Sequence, residues 1–269
     1  MSSSGGEIIT FHVGQCGNQL ARSYWEGLLR DCSKYNYIKR KSCKSLSSPI
    51  PVYDATGSAM FQSVDQYERK LTLDTPQLSL RARAILIDME YSVINQTLRS
   101  PIGNLFQRDE CILTDKSGSG NNLAHGFFEY DQIHEEVILN LTRNQLEFCD
   151  NPNAFQIMHS LTGGTGSGLG SKITEILSDN FPKIHRSTIS MMPDYELSDD
   201  VVVSPYNTIL ALNKLVQNAD AVFPFCNSQI SSSPYNNHNY NDGKSNLGKF
   251  KATRKSSKIQ RLDNFQVNE

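Results

Sequence analysis

Residues 160–171 read Ser-Leu-Thr-Gly-Gly-Thr-Gly-Ser-Gly-Leu-Gly-Ser, a segment with five glycines and several hydroxyls. Strand-like sequence precedes it at residues 154–159, and helix-like sequence follows at residues 172–181. The first turn of a helix has unpaired N–H groups and a partial positive charge, so it stabilises an anion that docks against it. Glycine lets the backbone approach that anion closely. The segment therefore predicts a phosphate-binding loop.

The loop differs from the two best-known nucleotide motifs. It lacks the Lys-Ser/Thr pair of a Walker motif, and the chain contains no Gly-x-Gly-x-x-Gly, which disfavours an oxidoreductase with a dinucleotide fold. Phosphate binding would then depend on backbone N–H groups and hydroxyls. A flexible Gly/Ser linker is the alternative, but linkers rarely lie tightly between a strand and a helix.

The composition favours a globular protein without a membrane segment or a metal cluster. A chain of 269 residues can form one large domain or two small ones. Its six cysteines are widely spaced without Cys-x-x-Cys, which indicates reduced thiols. The N-terminus has no secretory signal pattern, and no apolar run reaches the roughly 18 residues of a membrane helix. We expect a soluble, cytosolic protein.

The charge is unevenly distributed along the chain. Residues 1–230 carry 19 Lys/Arg against 25 Asp/Glu, whereas residues 231–269 carry seven against three. A mildly acidic main part argues against nucleic acid as a partner. The last segment is rich in Ser, Asn and Lys and has few large aliphatic residues, so it is expected to be a disordered tail. We therefore predict one domain over residues 1–230 and a polar basic tail over 231–269.

Strands and helices are predicted to alternate. The predicted strands are residues 8–13, 83–89, 110–113, 154–159, 187–192 and 220–225, and the predicted helices are residues 18–29, 131–146, 172–181 and 204–217. This order predicts an α/β fold with a doubly wound, mostly parallel sheet. The polar residues 31–80 are interpreted as a long surface excursion. Since ligands bind at the carboxyl ends of such strands, the loops at Gly14, Asp88, Gly118, Gly163 and Pro193 should converge on one pocket.

Five segments together resemble the tubulin family over about residues 7–227. They are Gly14-Gln15-Cys16-Gly17-Asn18-Gln19, Asp88-Met89-Glu90, Ser119-Gly120-Asn121-Asn122, Gly163-Gly164-Thr165-Gly166-Ser167-Gly168 and Ser204-Pro205-Tyr206-Asn207. Any one of them alone would be a moderate signal, whereas their joint occurrence in this order is very specific. Three further segments resemble the gamma branch most closely, namely Ser92-Val93-Ile94 followed by Arg99-Ser100-Pro101, Ile133-His134-Glu135, and Ser198-Asp199-Asp200-Val201-Val202-Val203.

The resemblance implies roles for the residues around the phosphates. Gln15 and Cys16 would hold the α- and β-phosphates and pack near the ribose, although a plain helix start is the alternative. Ser119, Gly120 and Asn121 would present N–H groups to the γ-phosphate, with Ser119 at a position where the family usually has alanine. The remaining cradle would consist of Ser160, Gly163, Gly164, Thr165 and Gly166.

The resemblance also implies a metal and a base contact. Asp88 and Glu90 would face a hydrated Mg²⁺, which keeps several waters in its coordination shell, although a solvated acidic turn is the alternative. Asn227 would recognise guanine. After Asn227 the sequence departs from the family, because the expected central helix and later domains are absent and Pro224 interrupts a strand. We therefore expect a truncated chain.

The resemblance implies that the chain binds GTP and Mg²⁺ and works in the microtubule-nucleating machinery. The implied partners are α/β-tubulin dimers and gamma-tubulin complex proteins, at a microtubule-organising centre in the cytoplasm. GTPase activity would be weak or absent, since the activating loop of the family is not in this sequence. The alternative is a truncated interaction or regulatory fragment with weak or no nucleotide binding and no nucleation activity.

Overall fold

Parallel strands form the centre of the fold. The structure, a computed structural model, describes residues 6–42, 55–63, 80–113, 118–129, 132–194 and 201–228. In chain order the strands are β1 (Glu7–Val13), β2 (Phe61–Ser63), β3 (Leu80–Ala82), β4 (Ala84–Asp88), β5 (Cys111–Leu113), β6 (Pro152–Ser160), β7 (His185–Met191) and β8 (Ala221–Phe225). Six of them form one sheet in the order β5-β4-β1-β6-β7-β8, and every neighbouring pair is parallel.

Helices cover the sheet and connect its strands. They are α1 (Gly14–Ser42), α2 (Ala55–Met60), α3 (Tyr91–Leu98), α4 (Leu123–Phe128), α5 (Gln132–Glu147), α6 (Gly170–Asn180) and α7 (Ser204–Asn218). A π-helical turn, Thr165–Leu169, leads into α6. The prediction of a doubly wound, mostly parallel α/β fold is therefore confirmed.

The two faces of the sheet bury different side chains. On one face Ile85 and Ile87 of β4 pack with Ile138 of α5 and Ile173 of α6. On the other face the intervening Leu86 packs with residues of α1 and α3 such as Trp25 and Ile94. Because both faces are covered, the strands appear in the sequence as nearly continuous apolar runs. This is why their positions could be predicted to within a few residues.

The chain reverses its direction across the sheet between β1 and β6. The path runs outward from β1 to β4 and β5, and then returns to β6 on the other side of β1 before it continues to β7 and β8. In doubly wound sheets such a switch point leaves a crevice at the carboxyl ends of the strands. The loops after β1 and β6 lie at this crevice.

The interpretation of residues 31–80 as a surface excursion was wrong for the part that the structure describes. Helix α1 runs on to Ser42, four turns past its predicted end. Strand β2 pairs with β3, and Met60 and Phe61 are buried against Trp25 and neighbouring apolar residues. A strand of three residues is too short to show an alternating pattern, so β2 and β3 could not be predicted from the sequence. Residues 43–54 and 64–79 lie outside the described residues.

The end of the sheet also differs from the expectation. Pro224 was expected to interrupt a buried strand, but β8 is the outer strand of the sheet within the described part of the chain, and Phe223, Pro224 and Phe225 are exposed. An edge strand tolerates proline because one side of it carries no ladder bonds. The predicted disordered tail lies outside the described residues. Among the helices of the described ranges, none is long and apolar enough to cross a membrane.

Candidate functional site

A cavity of about 460 Å³ opens at the carboxyl ends of the parallel strands. It is lined by residues of four loops, which are Gln15, Cys16 and Gln19; Asp88 and Glu90; Ser119, Gly120 and Asn121; and Ser160, Thr162, Gly163, Gly164, Thr165 and Gly166; together with Val201. Its volume lies within the roughly 300–1,000 Å³ of small-molecule sites. All five connections that were expected to converge contribute to the lining, but the connection from β7 to α7 does so through Val201 and not through Pro193.

The two loops at the switch point touch each other through glycine. Gly14 ends β1 with a φ of 70°, a left-handed conformation that disfavours other residues. A Cβ atom at Gly14 would lie 2.9 Å from the backbone nitrogen of Gly166. The turn after β1 can therefore approach the glycine-rich loop after β6 only because Gly14 carries no side chain.

The glycine-rich loop contacts a third loop in the same way. A Cβ atom at Gly164 would lie 2.5 Å from the backbone nitrogen of Asn122. Next to it, the hydroxyls of Ser119 and Thr165 are 3.0 Å apart and form a hydrogen bond. The presence of Ser119 where alanine was expected thus adds a bond between the two loops.

Gly163 has a different environment. A Cβ atom at Gly163 would have only Asn121 Oδ1 at 4.0 Å, although the residue lines the cavity. A side chain at this position would enter open space rather than the protein. Gly163 therefore matters for what the cavity can hold, whereas Gly164 matters for how the loops pack.

Asn207 on α7 joins two of the loops at the cavity. Its Nδ2 donates to the carbonyls of Asn121 and Thr162, both at 2.8 Å, and its Oδ1 accepts from Leu123 N at 3.2 Å. Gly120 and Asn121 have φ values of 57° and 58°, so their loop takes a left-handed path. Asn207 belongs to one of the motifs in the sequence, but its role could not be predicted because these two partners lie 45 and 86 positions away.

Asp88 presents an unpaired oxygen at the end of β4. Its side chain is 2% exposed, and its Oδ1 accepts from Met89 N at 2.8 Å and Glu90 N at 3.4 Å. Its Oδ2 is buried and has no hydrogen-bond partner within the described part of the chain. Burial raises the pKa of Asp88 to about 6, and the charge of Glu90 adds to the rise.

The acidic pair fits a hydrated magnesium ion. An unsatisfied buried oxygen is costly unless a cation or a donor fills the position next to it. In the described ranges no group of three or more His, Cys, Asp or Glu residues could hold a metal. A cation at Asp88 and Glu90 would thus need water or a ligand for its other positions, which is the usual coordination of Mg²⁺.

Asn18, which sequence analysis did not single out as a ligand, lies buried behind this pair. Its Nδ2 donates to the carbonyls of Gly14 and Ile87, both at 2.9 Å. These bonds connect the turn after β1 with the last residues of β4. The Oδ1 of Asn18 is buried without a hydrogen-bond partner among the described residues.

The remaining predicted site residues lie in different surroundings. Gln15 is exposed at the start of α1, and Cys16 is half-buried beside it. Burial raises the pKa of the Cys16 thiol to about 11, so the thiol is neutral and does not repel an anion. Asn227 is exposed, follows β8 and does not line the cavity. The structure therefore brings together all the predicted site residues except Asn227.

Comparisons with known proteins agree with this arrangement. The family model described as "Tubulin/FtsZ family, GTPase domain" matches residues 7–233. The human "Tubulin epsilon chain" is 38% identical over 230 residues, which are 83% of this chain and 45% of that protein. The mouse "Tubulin epsilon chain" is 37% identical over the same length. The "Tubulin gamma chain" of Candida albicans is 38% identical over 241 residues, 84% of this chain and 47% of that protein. The chain thus spans a little under half the length of these relatives.

Proposed function

The chain belongs to the tubulin/FtsZ family of GTPase domains, and from this premise we propose that its cavity binds GTP together with Mg²⁺. One observation carries the proposal. The glycine-rich loop, the turn after β1 and the 119–121 loop surround one cavity, and Asp88, which has a buried oxygen without a hydrogen-bond partner among the described residues, lines the same cavity. This combination suits a ligand that is both polyphosphate and metal-bound.

The phosphates would be held by backbone donors. None of the described residues that line the cavity is Lys or Arg, so positive side chains do not supply the charge. Helix α1 starts at Gly14, and the π-helical turn starts at Thr165, so two helical N-termini lie at the cavity. Their N–H groups and partial positive charges favour an anion. A single-turn π-helix is also frequent at functional sites.

Asp88 and Glu90 would hold the Mg²⁺, in part through its waters. The ion would neutralise phosphate charge that the backbone donors leave uncompensated. Asp88 would bring its buried Oδ2, and the exposed Glu90 would reach the outer side of the ion. The guanine contact is proposed for Asn227 by family resemblance, at the exposed end of β8.

The phosphate role is tested at Gly163. Gly163→Val places a branched side chain in the open space of the cavity, so GTP affinity should fall at least about 100-fold, or about 2.7 kcal/mol. A fluorescent-GTP titration of the full chain measures this loss. Gly27→Ala is the matched control, since a Cβ there meets nothing within 4 Å and lies in the middle of α1. If Gly163→Val binds GTP as the wild type does, the phosphates do not occupy this loop.

The cellular role is proposed from the sequence resemblance. We propose that the chain acts in the microtubule cytoskeleton, in the nucleating machinery of the organising centre, with α/β-tubulin dimers and gamma-tubulin complex proteins as partners. The gamma-like segments of the sequence support this branch. The equal identity of 38% to chains named epsilon and gamma leaves the epsilon branch as the second candidate.

Copurification distinguishes these possibilities. A tagged full chain should copurify with gamma-tubulin complex proteins if it belongs to the gamma branch, and imaging should locate it at organising centres. Localisation there without these proteins would favour the epsilon candidate. A chain that copurifies with partners but gives no GTP signal in titration would support the alternative of an interaction fragment.

A further inference from the structure

Two fully buried histidines lie behind the loops that line the cavity. His12 is on β1 and His159 is on β6, the two strands on either side of the switch point, and each is 0% exposed. Neither lines the cavity. Each contacts the backbone of the segment that follows its own strand, which is the first turn of α1 for His12 and the π-helical turn Thr165–Leu169 for His159. They are therefore placed to act on the site through its loops rather than by contact with a ligand.

His12 holds the turn after β1. Its Nδ1 lies 3.1 Å from the carbonyl of Gly17, and its Nε2 accepts a hydrogen bond from Trp25 Nε1 at 3.0 Å. A carbonyl can only accept and an indole N–H can only donate. The proton of the imidazole must then be on Nδ1, and the lone pair must be on Nε2.

His159 holds the glycine-rich loop with the same arrangement. Its Nδ1 lies 2.8 Å from the carbonyl of Gly166, and its Nε2 lies 3.0 Å from the hydroxyl of Ser190 on β7. Since Nδ1 must donate to the carbonyl, the lone pair of a neutral ring is on Nε2, next to the Ser190 hydroxyl, which also lies 3.1 Å from Thr188 Oγ1. There is no spare room around the ring, because a Cβ at Gly170 would lie 2.5 Å from Nδ1.

Burial favours the neutral form of both rings. It lowers the pKa of His12 and of His159 to about 4, despite the backbone hydrogen bond that each ring makes. At neutral pH both rings are thus uncharged, and each has one donor and one acceptor. A neutral ring with its partners on opposite sides has one orientation that satisfies both of them.

We propose that His12 and His159 are a matched pair of positioning residues, each locked as the Nδ1–H tautomer, that fix the two loops against which a nucleotide phosphate docks. The expected effect on nucleotide binding rests on the proposed GTP function, whereas the hydrogen bonds of the two histidines do not depend on it. A hydrogen bond to a loop carbonyl fixes the plane of that peptide, and with it the direction of the neighbouring N–H groups. Loops held this way are ordered before a ligand arrives, which lowers the cost of binding.

Substitutions at His159 distinguish the effect of losing the hydrogen-bond donor from the effect of losing the ring. The amide of His159→Asn can reach Gly166 from the position of Nδ1, whereas that of His159→Gln extends toward the position of Nε2. His159→Gln leaves the buried carbonyl unpaired and should weaken GTP binding roughly 5- to 150-fold. His159→Asn should stay within about threefold of wild type, because it keeps the donor. His185→Gln, at an exposed histidine on β7, is the control. Equal affinities for His159→Asn and His159→Gln overturn the proposal.

The tautomers can be measured without any nucleotide. Two-dimensional ¹H–¹⁵N spectra of the imidazoles in the full chain should assign the Nδ1–H form to both buried rings, unchanged from pH 6 to pH 8. An Nε2–H form at either ring, or a change with pH in that range, overturns the proposal. Ser190→Ala removes the partner of Nε2 but not the carbonyl at Nδ1, so His159 should keep its Nδ1–H form in this variant. A wild-type chain that fails to bind GTP would refute the proposed function, while these spectra would still decide the inference.

Discussion

At the scale of single residues, the most informative atom is the unpaired Oδ2 of Asp88. Asp88 is 2% exposed and has a raised pKa. A buried carboxylate of this kind destabilises the fold unless a cation or a hydrogen-bond donor compensates its charge. The folded-state pKa of about 6 lies above the ordinary value, so ionised Asp88 costs folding free energy above pH 6, and this cost disappears as the pH falls. The cation proposed for this site would remove the cost at neutral pH.

Replacement of Asp88 tests this role of the residue. Asp88→Asn keeps the shape and one oxygen but removes the charge, so the increase of GTP affinity on addition of Mg²⁺ should shrink by about 10- to 100-fold. The ligand-free variant should be at least as stable as wild type at pH 7, since no buried charge remains. GTP titrations with Mg²⁺ and with EDTA measure the first effect, and urea unfolding measures the second. Asp179→Asn, at an exposed position on α6, is the control. An unchanged response to Mg²⁺ would exclude Asp88 from the metal site.

At the scale of secondary-structure elements, a buried ion pair fixes the end of the sheet that lies away from the cavity. Arg83 Nη2 donates to Glu7 Oε1 at 2.7 Å, and both side chains are almost fully buried. Arg83 also donates to the carbonyl of Phe148 at 3.1 Å, and Glu7 Oε2 accepts from Asn151 N at 2.8 Å. These bonds connect the amino ends of β1 and β4 with the turn that precedes β6.

Loss of this pair should affect stability and leave the site intact. Arg83→Leu leaves the Glu7 carboxylate buried without its partner, which should cost about 3–5 kcal/mol of unfolding free energy. GTP affinity of the folded variant should stay at the wild-type value, because the pair lies at the opposite ends of the strands. Urea unfolding and GTP titration give the two numbers, with the exposed Arg143→Leu as control. A loss below about 1 kcal/mol would mean that water or relaxation replaces the pair.

The elements differ in how well the sequence predicted them. The central strands and α5 to α7 could be predicted because apolar runs and helical periodicity mark them. Helices α3 and α4, with eight and six residues, and strands β2 and β3, with three each, are too short to carry such a pattern, and they were missed. Their positions depend on contacts that are distant in sequence.

The same reason limits the prediction of the site. The cavity loops could be predicted because parallel strands bring their carboxyl ends together. The bonds that order these loops could not be predicted. His159 reaches Ser190 across 31 positions, and Asn207 reaches Asn121 across 86. For Asn227 the sequence match predicted a contact with guanine, but the residue does not line the cavity.

At the scale of the whole molecule, the strand order determines where chemistry can occur. The reversal between β1 and β6 opens the crevice, and the loops that follow these two strands supply the glycine contacts, the helical N-termini and the carbonyls held by histidine. The adjacent β4 supplies Asp88. We propose that the cavity at this crevice is a guanine-nucleotide site.

Calorimetric titration of the full chain with GTP and, separately, with ATP tests the claim most directly. With Mg²⁺ present, we expect one GTP per chain, loss of much of the affinity in EDTA, and binding of ATP at least about tenfold weaker, or about 1.4 kcal/mol. Displacement of bound GTP by GDP should be complete, because both would use the same loops. No measurable GTP binding at millimolar nucleotide, or equal affinities for GTP and ATP, would contradict the claim.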